Sequence, residues 1–239
     1  MSHLPNNFTA GEDMLSNFLI HVCCYAFSKP ITIIINLVLK VNTFPDVWKR
    51  TRVTPIFKNG SSSSIKNYRP ISIISNFAKL FEKILYSNIL SNVKSYISDS
   101  QHGFLPKRST VTNLSCISQC KSEAIVSKGQ VDVIYTDFSY AFDTINHTAL
   151  INKLNVLGFS TSALTIVSSY LSNRIQYVYH KGHKSFEYTM KSGVPQDSNL
   201  GPPLFILYIN DFDNIKLYSN IKNNSDVINL KNILDTITN

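Results

Sequence analysis

The chain has 239 residues, 44% of them hydrophobic and 11% aromatic, and a formal net charge of +8. This composition excludes an intrinsically disordered chain, and the length suffices for one large domain or two small ones with a substantial core. The basic balance favours a polyanionic partner such as nucleic acid or an anionic membrane surface, although charge alone is weak evidence because many soluble proteins are basic.

Cysteine usage and the N-terminal residues bear on the compartment. The four cysteines (Cys23, Cys24, Cys116 and Cys120) form no Cys-x-x-Cys pair, which favours reduced thiols over a zinc site or a disulfide framework. The polar N-terminus lacks a secretory signal, and the apolar run 31–41 is too short to span a bilayer. We therefore expect an intracellular protein, in cytoplasm or nucleus, that is not secreted and has no membrane partner.

The first third of the chain is predicted to be helical and then to enter a strand. Apolar periodicity predicts helices over 14–27 and 30–40. The β-branched residues of 51–57 predict a strand, and the proline within it suits an edge position. The Ser-rich stretch 59–66 that follows has the composition of a flexible loop.

The remaining elements alternate between strands and helices. Residues 67–75 are predicted to be extended, and a turn-rich basic loop is predicted over 98–110. Helices are predicted over 77–93, 111–127, 146–157, 163–171, 200–212 and 226–237, strands over 131–135 and 215–218, and a hairpin over 176–180 and 186–191. This order favours an α+β fold over a doubly wound sheet.

Two stretches carry the candidate chemistry. The first, TDFSYAFDTINH at 136–147, places Asp137 at the end of the apolar run VDVIY. The second, SGVPQDSNLGPPLFILYINDF at 192–212, is a turn rich in Gly and Pro that leads into an apolar helix. Nucleotidyl transfer uses two divalent ions about 3.5–4 Å apart, which carboxylates from separate strands hold. Asp137 stands where such a ligand belongs; the alternative is a surface acid or a helix N-cap.

In their order and spacing these stretches resemble the palm of reverse transcriptases of non-LTR retrotransposons of the jockey-like and LINE-like kind. VTPIFKNG, NYRPISIIS and SDSQHGFLPKRST resemble the finger motifs of the same family, so the resemblance covers nearly the whole chain. It implies an α+β fold with fingers and a palm, the palm an antiparallel sheet backed by helices, and no thumb. The implied regions are an N-terminal helical extension at 1–50, a fingers-like region at 51–130 and an incomplete palm-like region at 131–239.

The resemblance also implies roles for individual residues. Asp137, as the catalytic residue, and the backbone carbonyl of Phe138 would bind Mg²⁺. Phe142 would form the wall of the sugar pocket, with ordinary core packing as the alternative. Gln196 would contact the incoming nucleotide and the template base. Asp143 would be structural, either capping the helix that begins near Asn146 or ordering the loop.

Cations and turn residues complete the implied site. Arg69, Lys107 and Arg108 would contact triphosphate or template, and the alternative for an isolated lysine is a solvated surface charge. Gly193 and Pro195 would shape a turn before a helix N-terminus, which favours a neighbouring phosphate.

The sequence departs from the family pattern at three places. Asp197 stands where the family has Gly, and Leu105 stands where it usually has Arg. The family's Tyr-x-Asp-Asp motif is replaced by Tyr218-Ser219-Asn220-Ile221, which has neither aspartate. A lone carboxylate is not expected to hold two magnesium ions, so impaired catalysis and weakened Mg²⁺ binding are predicted.

Three functions follow as hypotheses. The first is an RNA-directed DNA polymerase domain by descent, with an RNA template, a DNA primer and deoxynucleoside triphosphates as ancestral partners, and impaired in this chain. The second is a non-catalytic basic remnant of a mobile element that binds RNA or DNA. The third is an unselected fragment with no cellular role.

Overall fold

The structure is a computed structural model that describes residues 1, 7–129, 138 and 140–211. These residues belong to two compact units: 7–96, 138 and 140–208 in the first, and 97–129 and 209–211 in the second. The strands predicted over 131–135 and 215–218 and the helix predicted over 226–237 lie outside the described residues. The mixture of helices with one sheet agrees with the predicted α+β class.

Two helices open the first unit. α1 (Asn17–Val22) begins where the Ser16 side chain accepts a hydrogen bond from the Leu19 amide, and α2 (Cys24–Val41) follows. The sequence predicts a break before Pro30, but Pro30 lies inside α2 and the break falls at Cys23, which has non-helical backbone angles. The helix continues past the proline, at the cost of one backbone hydrogen bond, because Ile31, Ile35 and Val38 beyond it are buried.

α2 has a second property that the apolar run 31–41 did not predict. In the described part of the chain it is the one helix whose length and composition would allow it to cross a membrane, and 11% of it is buried. It extends seven residues before that run. A single such helix near the N-terminus is weak evidence, and the absence of a membrane partner stays a prediction.

Five strands form the sheet of the first unit: β1 (Arg50–Phe57), β2 (Tyr68–Ile73), β3 (Ile175–His180), β4 (His183–Lys184) and β5 (Tyr188–Thr189). The strand order is β2-β1-β3-β4, and β5 also pairs with β3. β1 pairs antiparallel with β2, with Arg52 opposite Ile73, but parallel with β3, with Arg50 opposite Ile175. The described sheet is therefore mixed, whereas an antiparallel palm sheet was expected.

Pro55 lies in an internal strand and not in the predicted edge strand. The pairing of β1 with β3 covers Arg50–Val53, so Pro55 lies beyond it and faces Pro70 of β2. Among the described strands, one side of β1 is thus unpaired at Pro55, where a missing N–H costs no ladder hydrogen bond. Pro55 therefore lies where β1 lacks one partner, as a proline requires, but the prediction that the strand itself lies at the edge of the sheet was wrong.

The other helices begin and end within three residues of their predicted bounds. They are α3 (Asn76–Val93), α4 (Thr110–Val126), α5 (His147–Val156), α6 (Thr161–Leu171) and α7 (Gly201–Ile209). At four helix N-termini the capping side chain accepts a hydrogen bond from a backbone amide of the first turn; the caps are Ser75, Ser109, Asn146 and Ser160. Such caps satisfy amides that have no partner within the helix, so the first residue of each helix is encoded locally.

Aromatic side chains form the core of the first unit. The Phe44 ring lies 5.1 Å from Tyr170 of α6 and 5.7 Å from Trp48, and Phe81 of α3 lies 6.0 Å from Trp48. Phe44, Phe81 and Tyr170 are fully buried. This core fixes α3, which contacts the loop of the candidate site at Asn199.

Candidate functional site

The candidate site is the contact between the turn at Phe142-Asp143 and the loop that begins at Gly193. The Gly193 amide donates to the Ile145 carbonyl at 2.8 Å, and the Val194 amide donates to the Phe142 carbonyl at 2.8 Å. The Nε2 of His147 lies 2.7 Å from the Gly193 carbonyl oxygen. Both stretches singled out in the sequence therefore meet, through backbone contacts, in the first unit.

Gly193 is required at this contact for two reasons. Its φ is +81°, in the left-handed region that side chains other than glycine rarely adopt. A Cβ atom there would lie 2.6 Å from the Phe142 carbonyl oxygen and 2.7 Å from Asp143 Cα. These are backbone atoms, so no side-chain rotation would relieve the overlap.

Gln196 and Asp143, which are 53 residues apart, join the two stretches through side chains. The Gln196 Nε2 donates to both carboxylate oxygens of Asp143, at 3.0 and 3.1 Å. Burial raises the pKa of Asp143, and the hydrogen bond from Gln196 opposes that rise. The N-cap of α5 is Asn146 and not Asp143. Of the two structural roles that the sequence left open for Asp143, the contacts therefore correspond to ordering of the loop.

Phe142 lies beside this pair and packs on α7. Its half-buried ring lies 5.1 Å from the Phe205 ring, and the Phe138 ring lies 6.3 Å from the same ring. The contact agrees with core packing, and a half-buried face is also compatible with the predicted sugar-pocket wall. The Asp137 carboxylate, the predicted metal ligand, lies outside the described residues.

The turn after Pro195 explains the glycine that the family has at position 197. The Ser198 amide and Oγ donate to the Pro195 carbonyl at 3.4 and 2.8 Å, which closes a turn in which Asp197 has φ +69°. A positive φ at the third position of a β-turn favours glycine. The Asp197 carboxylate points to α3, where Lys79 Nζ lies 3.1 Å away. The negative charge that Asp197 introduces in place of glycine is therefore paired with a cation.

The predicted cations differ in what they contact. Arg69 is exposed on β2, and Lys107 is exposed in the second unit at φ +67°. Arg108 is half-buried, and its guanidinium donates four hydrogen bonds at 2.6–3.0 Å to residues of its own loop. Three go to the carbonyls of Ser98, Asp99 and Gln101, so Arg108 orders the loop whatever else it contacts.

Metal-binding capacity is low in the described part of the chain. No three His, Cys, Asp or Glu side chains within it lie close enough to hold an ion. The carboxylate of Asp143 accepts hydrogen bonds from Gln196, and that of Asp197 pairs with Lys79. The described residues alone therefore do not fit a magnesium ion, and no catalytic step is derived through one.

Several residues at the site were not predicted from sequence. Ser72 of β2 donates its amide to the Gln196 carbonyl at 3.2 Å, and Glu82 Oε2 accepts from the Asn199 amide at 2.8 Å. The sequence cannot predict which backbone amide, such as that of Ser72, will donate to the site. Glu82 could have been found from its spacing. It shares a buried helix face with Ala78, Leu85 and Ile89, and a carboxylate at such a position indicates a buried partner.

Comparison with known families decides the identity of this scaffold. The family described as "Reverse transcriptase (RNA-dependent DNA polymerase)" matches residues 56–223. The chain belongs to this reverse transcriptase family. The match contains both stretches of the candidate site, and the resemblance read from the sequence is confirmed.

The relatives are polymerases of mobile elements. The "RNA-directed DNA polymerase from mobile element jockey" of Drosophila melanogaster is 30% identical over 214 residues, which are 88% of this chain and 23% of the relative. The "Probable RNA-directed DNA polymerase from transposon BS" of the same species is 30% identical over 211 residues, 87% of this chain and 23% of the relative.

A more distant relative is the "Retrovirus-related Pol polyprotein from type-1 retrotransposable element R2" of Popillia japonica. It is 26% identical over 162 residues, 67% of this chain and 22% of that protein. The chain is thus a jockey-like reverse transcriptase domain that spans less than a quarter of the length of these relatives.

Proposed function

We propose that this chain is an RNA-directed DNA polymerase domain of a non-LTR retrotransposon that is impaired in catalysis. Its ligands are an RNA template, a DNA primer and deoxynucleoside triphosphates. One observation carries the proposal: the loop with Gln196 is fixed against the turn with Phe142 by hydrogen bonds to Asp143. The residues proposed to contact the base and the sugar of one nucleotide are therefore held side by side.

The chemistry of this site follows from the residues assigned to it. The Gln196 amide and the Phe142 ring would orient the nucleotide, and Gly193 and Pro195 set the loop that carries Gln196. Asp137 and the Phe138 carbonyl are the proposed ligands of Mg²⁺, which would neutralise phosphate charge. We also propose that Arg69, Lys107 and Arg108 contact template or triphosphate. We further propose that the palm contains an antiparallel sheet and that the chain divides at residues 50 and 130 into an N-terminal helical extension, a fingers-like region and a palm-like region.

Impairment follows from the missing carboxylates. Tyr218 is followed by Ser219, Asn220 and Ile221, so the positions of both aspartates of the Tyr-x-Asp-Asp motif, 220 and 221, carry no charge. A magnesium ion held by Asp137 alone keeps most of its water ligands and is weakly bound. Catalysis depends on this ion to stabilise the charge of the phosphoryl group. We therefore expect the chain to lose catalysis while it still binds the nucleotide.

Primer extension tests the proposal. The full chain is mixed with poly(rA)·oligo(dT), dTTP and Mg²⁺, and both dTTP binding and product are measured. We expect bound template-primer and dTTP, with product no higher than that of Asp137→Ala. Glu123→Ala, which removes an exposed acid whose carboxylate accepts a hydrogen bond from Gln119, is the matched control. If the wild-type chain forms product and only Asp137→Ala abolishes it, the impairment is refuted. If the chain does not bind the template-primer, or does not bind dTTP, the proposed function is refuted.

A second candidate, a non-catalytic RNA-binding remnant, has one observation in its favour. Lys58, Lys66 and Arg69 are all exposed around the connection between β1 and β2, and no ion pair within the described residues neutralises them. Such cations attract a phosphate backbone without any catalytic group. Binding of RNA without binding of dTTP would favour this candidate.

A further inference from the structure

Helix α3 contacts the loop that follows Gln196 at three points. Lys79 Nζ pairs with the Asp197 carboxylate at 3.1 Å, and the Lys79 carbonyl accepts from Asn199 Nδ2 at 2.8 Å. Glu82 Oε2 accepts from the Asn199 backbone amide at 2.8 Å. These three hydrogen bonds are called the α3–loop contact below.

The Glu82 end of the contact is buried. Glu82 and Arg174 are both fully buried, and Arg174 is fixed by hydrogen bonds to the Tyr170 carbonyl at 3.2 Å and to Thr51 Oγ1 at 3.3 Å. Burial raises the pKa of Glu82, and the charge of Arg174 opposes that rise. A buried pair of ionisable side chains gives no more stability than a well-packed apolar pair. What an apolar pair cannot supply is an acceptor for the Asn199 amide.

Gln196 is held on both of its other sides. Its carbonyl accepts from the Ser72 amide of β2 at 3.2 Å, and its side chain donates to Asp143. A shift of the turn at residues 197–199 would move Gln196 as well, because only two residues, Asp197 and Ser198, separate Gln196 from Asn199.

We propose that Glu82 and Asn199 are positioning residues that set the place of Gln196 against Asp143. The positioning of Gln196 does not depend on the proposed function. Its consequence does rest on that function: nucleotide binding depends on helix α3, whose side chains do not touch the nucleotide. Lys79 contributes to the same positioning and neutralises Asp197.

A pair of double variants isolates the hydrogen bond to Asn199. Both carry Arg174→Met, so that no buried charge is left unpaired. One adds Glu82→Gln, which keeps an acceptor, and the other adds Glu82→Leu, which does not. Hydrogen exchange of the peptide 193–200 is measured in the full chain, with 31–38 of α2 as internal reference, together with dTTP binding to the complex with poly(rA)·oligo(dT).

The expected result is that the Leu double variant exchanges about tenfold faster at 193–200 than the Gln double variant, with the same exchange at 31–38. Binding of dTTP should weaken about tenfold in the Leu variant only. Equal exchange in both double variants at 193–200 would overturn the proposal.

Two single substitutions that disturb the fold less provide a second test in case the double variants do not fold. Asn199→Ala removes only the hydrogen bond to the Lys79 carbonyl, and Asn88→Ala removes an exposed intrahelical bond to Ile84 on the same helix. Faster exchange at 193–200 in Asn199→Ala alone supports positioning, and no difference from Asn88→Ala opposes it. A wild-type chain that binds no dTTP refutes the proposed function, while the exchange comparison still decides the α3–loop contact.

Discussion

Asp197 shows how one residue can depart from a family pattern without disrupting the local structure. The turn requires a positive φ, which Asp tolerates better than most residues because its short side chain can bond locally. The carboxylate, 60% exposed, then reaches Lys79. The sequence shows that an acidic residue replaces the family's glycine at position 197. It does not show where the carboxylate points, because that direction follows from the φ of the turn.

Restoring glycine at this position should stabilise the fold. Asp197→Gly removes a left-handed conformation that costs most residues about 1–2 kcal/mol and Asp less, and it loses an exposed ion pair of about 0–1 kcal/mol, so we expect a net gain of no more than about 1 kcal/mol. Urea unfolding measures the gain. Asn173→Gly, at φ +55° away from the loop, is the control and should gain stability without changing dTTP affinity. A lower urea midpoint for Asp197→Gly would contradict the argument.

The hydrogen bond from Gln196 should be visible in the titration of Asp143. Gln196→Met keeps the volume but removes the donor that lowers the pKa of Asp143, so that pKa should rise further. Because the folded pKa is raised above the ordinary 3.8, the stability that Asp143 contributes is complete below that pH and is lost as pH rises through the folded pKa.

Carbon NMR of the Asp143 carboxylate measures this shift, and urea unfolding across the same pH range measures its effect on stability. In Gln196→Met the loss should extend to higher pH than in the wild type. Gln119→Met, which removes an exposed hydrogen bond to Glu123, should leave Asp143 unchanged. An unchanged or lowered pKa in Gln196→Met would contradict the hydrogen bond.

At the scale of elements, local signals predicted the helices better than the sheet. Helix starts follow from caps such as Ser75 and Asn146, which act within three residues. The parallel pairing of β1 with β3 joins Arg50 to Ile175, and no local pattern encodes a partner so distant in sequence. For the same reason the contact of Gln196 with Asp143 was not predicted, although both residues were singled out separately.

The contact between the Phe142-Asp143 turn and the Gly193 loop gives the sharpest test at this scale. Gly158→Ala introduces a side chain at φ +83° in open space and should cost about 1–2 kcal/mol. Gly193→Ala has the same backbone strain and also overlaps the backbone of Phe142 and Asp143, which should add about 1–3 kcal/mol. Urea unfolding of both variants measures the difference, and equal losses would show that the two elements are not in close contact.

At the scale of the whole molecule, the net charge of +8 and the exposed cations bear on nucleic acid binding. Fluorescence anisotropy of a labelled single-stranded RNA at several salt concentrations gives the slope of log K against log salt, which is about −0.7 for each phosphate neutralised. Arg69→Ala and Lys107→Ala should each make that slope smaller by about 0.7 without changing the stability of the fold, because both side chains are exposed.

Two variants separate charge from structure in the same measurement. Arg69→Lys keeps the charge and should leave the slope unchanged. Arg108→Ala should instead disrupt the loop at residues 98–101, since its guanidinium holds three of the loop's carbonyls, and hydrogen exchange there should rise along with any loss of binding. If Arg69→Ala leaves the slope at the wild-type value, β2 does not contact the RNA backbone, and the basic balance of the chain serves another purpose.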